Sequence, residues 1–167
     1  VSTRVALAAL VICTFVITAR VDYLDPWLHG DWADRRALMS QIIHALQRSG
    51  AGAGKKVFFT TSGYIAVNSV WYEIAKSGAP IPEIRDYAFA DKLAMLDEGI
   101  READYVVASA PEYPEVWDFL PTTKLAGDSL LLARRDPGLV LVAHAATKPG
   151  HEYFIFRRHR TASSARQ

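Results

Sequence analysis

The sequence predicts a mixed α/β fold, and three observations predict it. Short apolar and β-branched runs recur at Val57 to Thr61 and Tyr105 to Ser109, the pattern of strands covered on both faces. Stretches between and after them carry apolar residues at helical spacing. An uncharged apolar run, Val5 to Ala19, precedes the whole.

That run decides which solvent the chain lives beside. At a rise of ~1.5 Å per residue it reaches ~22 Å, short of a ~30 Å hydrocarbon core. Arg4 and Arg20 flank it and extend a helix toward both headgroup layers by snorkelling. The chain opens at Val1 rather than Met, so further residues upstream are compatible with this reading. A transmembrane anchor over residues 1–24 is therefore expected. Two other readings stand beside it: a buried helix of a soluble protein, and a secretory signal ending near Thr18-Ala19, although no small-x-small cleavage site is clear.

Tyr23 to Trp32 is an aromatic, amphipathic cluster of the kind found at a membrane-water interface. Arg20, Tyr23, Trp27 and Trp32 are the candidate residues for the membrane interface or for docking a neighbouring membrane protein. Orientation is not set by charge, because Arg4 and Arg20 are matched across the run.

From Asp34 to Arg48, Leu38, Met39, Ile42, Ile43 and Leu46 predict a helix with one buried stripe. Ser49 to Gly54 ends it and reads as a flexible, glycine-rich linker. A phosphate loop would need Gly at Ser49, Ser or Thr at Lys56, and a strand before rather than after. The expected organisation is an anchor over 1–24, an interfacial segment with helix and linker over 25–54, an extracytoplasmic α/β domain over 55–160, and a polar tail over 161–167.

Within that domain Val57 to Thr61 is the first strand, and Ser62-Gly63 closes it as the cap of a helix that runs to Lys76. Ser77-Gly78 stops that helix. A short strand is expected at Ile84 to Phe89, a helix at Asp91 to Arg101 and a buried strand at Tyr105 to Ser109. Two strand-helix-strand units in succession predict a small Rossmann-like sheet of mainly parallel strands. Pro111 to Pro121 reads as one or two aromatic helical turns, and Ser129 to Arg135 as a short helix. Leu139 to Ala145 and Tyr153 to Arg157 predict a closing antiparallel hairpin around Lys148-Pro149-Gly150.

Chemistry is sparse. A formal charge of +1 gives no field to attract nucleic acid, and the lone Cys13 cannot form an intramolecular disulfide. His29, His44, His144, His151 and His159 are scattered without a metal-ligand spacing, so no metal and no cofactor are expected. Asp86, Asp91, Asp104 and Glu112 fall near strand ends, where α/β folds place ligands, although caps and solvated surface explain carboxylates equally well there.

The order of elements, with Val57 to Gly63, Ala103-Asp104-Tyr105-Val106-Val107 and the closing Tyr153 to Arg158, resembles one known arrangement. It is similar to the C-terminal end of polytopic membrane glycosyltransferases of the dolichyl-phosphate-mannose protein mannosyltransferase type, family thirty-nine. The resemblance covers about Val5 to Arg158 and implies an inner-membrane location with the α/β domain on the periplasmic side. That family transfers sugar from a polyprenyl-phosphate donor with acidic residues in an early loop between many spans. This chain contains neither loop nor spans, so no catalytic residue carries over.

The function expected is therefore a non-catalytic, single-span accessory or scaffold subunit of a larger membrane complex, with lipids and integral membrane proteins as partners. A C-terminal fragment of an active glycosyltransferase is the alternative. A module binding a small ligand at the strand ends is a further one.

Overall fold

The computed structural model describes residues 33–61, 64–87, 89–110, 121–147 and 149–159. The chain divides into two compact units, Val1–Arg36 and Ala37–Gln167. The run from Val5 to Ala19 and the residues Arg20, Tyr23, Trp27 and Trp32 lie outside the described residues, as do residues 111–120 and 160–167. Among the described residues no helix is long and apolar enough to cross a membrane.

The second unit is a five-stranded sheet between two helical layers. Its elements are helix α1 (residues 33–48) from residue 37 onward, β1 (Lys56–Phe59), α2 (Val67–Lys76), β2 (Glu83–Asp86), α3 (Leu93–Glu102), β3 (Tyr105–Ser109), α4 (Pro121–Lys124), α5 (Ala126–Arg135), β4 (Leu139–Ala146) and β5 (Glu152–Arg158). The strand order is β2-β1-β3-β5-β4. β1 pairs in parallel with both β2 and β3, whereas β5 runs antiparallel to β3 and to β4. β4 thus points the same way as β1, β2 and β3, and β5 alone is reversed. The parallel strands and the closing hairpin expected from the sequence are both present.

Strand alternation assigns the two faces. Val57 and Phe59 of β1 with Tyr105 and Val107 of β3 join Leu38, Ile42 and Leu46 of α1 and Val70 and Ile74 of α2 in one buried cluster. Phe58 of β1 with Val106 and Ala108 of β3 joins Leu96 and Ile100 of α3 and Leu130 and Ala133 of α5 in the other. A period of two along each strand sends neighbours to opposite layers, which is why these runs are apolar throughout.

Several expectations shift. The stretch read as a flexible linker is a packed helix ending. Ala51 is buried, the N–H of Ala51 donates to the Leu46 carbonyl at 2.9 Å, and Gly50 takes φ +91°. The Tyr105 hydroxyl donates to the Ser49 carbonyl at 2.6 Å and ties this ending to β3. Helix α1 consequently shares its core with the sheet. Ser62 is not the cap of α2, because Ala66 holds the N-cap position and makes no side-chain bond there. β2 stops at Asp86 instead of Phe89, since its last partner, Phe59, ends β1. α5 starts at Ala126, three residues before the expected Ser129. Ser129 Oγ donates to the Ala126 carbonyl, so the serine sits inside the first turn. In the hairpin Gly150 has φ +81°, the value a type II turn requires at its second central residue.

Candidate functional site

In open α/β sheets ligands collect at the carboxyl ends of the strands, where the chain's progression across the sheet reverses. Here that point lies between β1 and β3. From β1 the chain moves through α2, on one face, to β2, and then through α3, on the other face, back to β3 beside β1. The helices that follow β1 and β3 in the chain, α2 and α5, lie on opposite faces of the sheet.

Hydroxyl groups gather at this end. The Thr60 N–H donates to the Val107 carbonyl at 3.0 Å, which continues the β1–β3 ladder one step past Phe59. Thr60 is 0% exposed, and its Oγ1 has no hydrogen-bond partner among the described residues. A buried hydroxyl left unpaired costs about 1–3 kcal/mol, a cost an isosteric valine would avoid. Thr61 Oγ1 and Ser109 Oγ lie 2.8 Å apart, bridging the ends of the two strands. Both side chains are buried. One hydroxyl proton makes that bond, so the pair retains a second proton to donate.

Next to them the loop before α2 is fastened to the hairpin. Tyr64 meets the His151 ring edge-on at 4.3 Å, and the Ile65 N–H donates to the Tyr153 hydroxyl at 3.3 Å. The Ala110 N–H donates to the Glu152 carbonyl at 3.0 Å and extends the β3–β5 pairing. α2 begins at this end with no side-chain cap and no acidic residue in its first turn. The partial positive charge of its N-terminus is thus not offset from within the helix.

The sequence-predicted residues are distributed unevenly around this site. Asp86 ends β2 on the far side of β1, and Asp91 precedes α3. Asp104 stands at the opposite end of the sheet. It precedes β3, and its carboxylate accepts the Lys56 N–H at 3.0 Å, a bond that holds the amino end of β1. Its expected place among ligand-binding strand ends is overturned by strand direction. Glu112, Ser62 and Gly63 lie outside the described residues, as do the interface candidates Arg20, Tyr23, Trp27 and Trp32. Among the described residues no three His, Cys, Asp or Glu side chains group as a metal site would require.

A second feature lies on α2. Val67, Val70 and Ile74 are buried, while Trp71 and Tyr72 stand out at 49% and 58% exposure. By helical spacing alone Val67, Val70, Trp71, Ile74 and Ala75 would form one apolar stripe that includes Trp71. The helix is rotated so that Trp71 lies at the edge of that stripe. Comparison with protein-family models, curated proteins and solved structures finds no match to this chain.

Proposed function

We propose that this chain is a membrane-tethered docking module, anchored by Val5 to Ala19 and holding an integral membrane partner against the outer face of α2. The observation that carries the reading is the adjacent pair Trp71 and Tyr72, exposed on a helix whose opposite stripe is locked into the core. Rigid aromatics with polar tips contribute much contact area at little entropic cost and are enriched at the centres of protein interfaces. The apolar run and the Tyr23 to Trp32 cluster support a tether at the bilayer. The resemblance to a glycosyltransferase terminus supports an extracytoplasmic orientation.

The test is purification of the tagged chain from native membranes in mild detergent, with intact-mass analysis and identification of what co-elutes. A mass near 18.5 kDa with a stoichiometric integral membrane partner, lost on combined Trp71→Ala and Tyr72→Ala substitution, is the expected result. Retention of the partner by the double variant rejects the α2 face. A mass several times larger means that the chain is the terminus of a polytopic enzyme.

A further inference from the structure

We propose that the cleft between the last turns of α1 and α2 binds a phosphate group carried on an apolar body, the chemistry shared by a soluble phosphate ester and a phospholipid. The cleft measures about 500 Å³, within the range of small-molecule sites. Gln47, Gly50 and Gly52 line it from the α1 side, and Ser77, Ala79 and Pro80 from the α2 side. A Cβ added to Gly52 would stand 3.6 Å from that of Pro80, so the glycine keeps this part of the cleft open.

Four cations stand beside these walls, and no carboxylate lines them among the described residues. Arg48 ends α1 next to Gln47, and Lys76 ends α2 next to Ser77. The Lys55 N–H donates to the Gly52 carbonyl at 3.0 Å, and Arg157 Nη1 donates to the carbonyl of Ser49, beside Gly50, at 3.5 Å. Cations at helix ends commonly do no more than offset the negative terminus, so the balance has to be drawn. Each helix C-terminus carries about half a negative charge. Glu73, one turn before Ser77 on the same side of α2, adds a full one. Against four cations that leaves an excess of about two positive charges, and a phosphate monoester carries about −1.5 to −2 at neutral pH. The Gln47 carboxamide offers the phosphate oxygens N–H donors, while Ala79 and Pro80 face the remainder of the ligand with apolar surface. This is not a phosphate loop, since a helix ends here rather than begins and the charge comes from side chains. Neither Trp71 nor Tyr72 lines the cleft, so the site is independent of the docking face.

The experiment is thermal unfolding of the full chain in detergent with chloride, inorganic phosphate or phenyl phosphate at matched pH and ionic strength. It is repeated in micelles doped with phosphatidic acid or with diacylglycerol, which lacks the phosphate. A ligand that binds only the folded state raises Tm progressively with its concentration. The expected result is a rise with phenyl phosphate that exceeds the rise with inorganic phosphate, or a rise with phosphatidic acid but not diacylglycerol. The first outcome places the ligand among soluble esters and the second among lipids. Lys55→Gln combined with Lys76→Gln should demand about tenfold more ligand for the same rise, the loss expected of a charge-assisted bond. Gly52→Leu should abolish the rise by filling the cleft with all charges kept, and Gly52 has no positive φ to strain the leucine. Lys92→Gln, before α3 at the other end of the sheet, should leave the rise intact. Equal Tm values in every condition overturn the proposal, as does a full rise in the folded Gly52→Leu chain or in the lysine double variant, or loss of the rise in Lys92→Gln. If Gly52→Leu fails to fold, the double variant and Lys92→Gln decide.

Discussion

Arg158 and Asp136 meet through a 2.9 Å bond from Nη2 to Oδ2, and this pair closes three elements on one another. The same guanidinium donates to the Ile100 carbonyl at 2.8 Å and to the Ala103 carbonyl at 3.0 Å, satisfying the orphan end of α3. Asp136 Oδ1 accepts the Gly138 N–H at 2.8 Å, which shapes the turn from α5 into β4. Burial alone would raise the Asp136 pKa. The bonds from Arg158 and Gly138, with the charges of Arg158 and Arg101, outweigh it and hold the carboxyl below its ordinary 3.8.

The sign of the pH effect follows. A lowered native pKa contributes stability at neutral pH that fades as the pH falls toward 3.8 and is lost once it passes the native value. Asp136→Asn is expected to cost about 2 kcal/mol at neutral pH, because a charged acceptor of a largely buried guanidinium disappears. Measured against pH by denaturant unfolding, the gap between the two proteins should narrow in acid. A gap that stays constant down to the acid transition would show that Asp136 is not ionised in the fold.

Gly99 provides a case where two known effects oppose. Glycine to alanine inside a helix ordinarily stabilises by about 1 kcal/mol. A Cβ at Gly99 in α3 would press into the Phe58 ring, which is buried and held edge-on to Tyr87 at 5.3 Å. Overpacking of this kind costs about 1–3 kcal/mol, so Gly99→Ala should destabilise on balance. Phe58→Leu combined with it should recover part of the loss, and strict additivity of the two changes would count against the contact.

Gly50 separates a packed ending from a linker. In a flexible linker, glycine to alanine is neutral or stabilises by roughly 0.4–1 kcal/mol through the unfolded chain. At φ +91° an alanine is strained by about 1–2 kcal/mol. Gly50→Ala is therefore expected to lower the unfolding midpoint, and a raised midpoint would restore the linker reading.

How much was legible follows from how local each signal is. β3 was readable to the residue, because Tyr105 to Ser109 is buried on both faces and bounded by polar Asp104. The end of β2 was not, since it depends on where its partner β1 ends rather than on its own apolar Tyr87 and Phe89. Phe89 is 76% exposed, so its hydrophobicity misled. The insertion of β5 between β3 and β4 is a pairing across about 50 residues of sequence, of which local pattern carries no trace. Asp104 directly precedes β3, so the strand bounds alone already put it at the amino end, away from the ligand-binding ends. Thr60 and Thr61 read as β-branched strand formers, and only the register with β3 pairs the Thr61 hydroxyl with that of Ser109 and leaves Thr60 on the opposite face of the sheet.

Gln41 shows how an open edge is managed, and it yields the last expectation. β4 is an edge strand without Asp, Glu, Lys or Arg, and Val140 and Leu141 are exposed on it. Such an edge invites pairing with another chain. The Gln41 side chain of α1 donates to the Ala146 carbonyl at 3.2 Å and accepts the Ala146 N–H at 3.1 Å, so its amide occupies the edge as a strand would. Gln41→Leu frees both groups. It should cost about 1 kcal/mol, at the lower part of the usual range because the bonds face solvent. Its sharper signature is association: light scattering of the variant should increase with concentration where the native chain stays constant, and a Val140→Lys substitution in the same background should suppress the increase by placing charge on the edge.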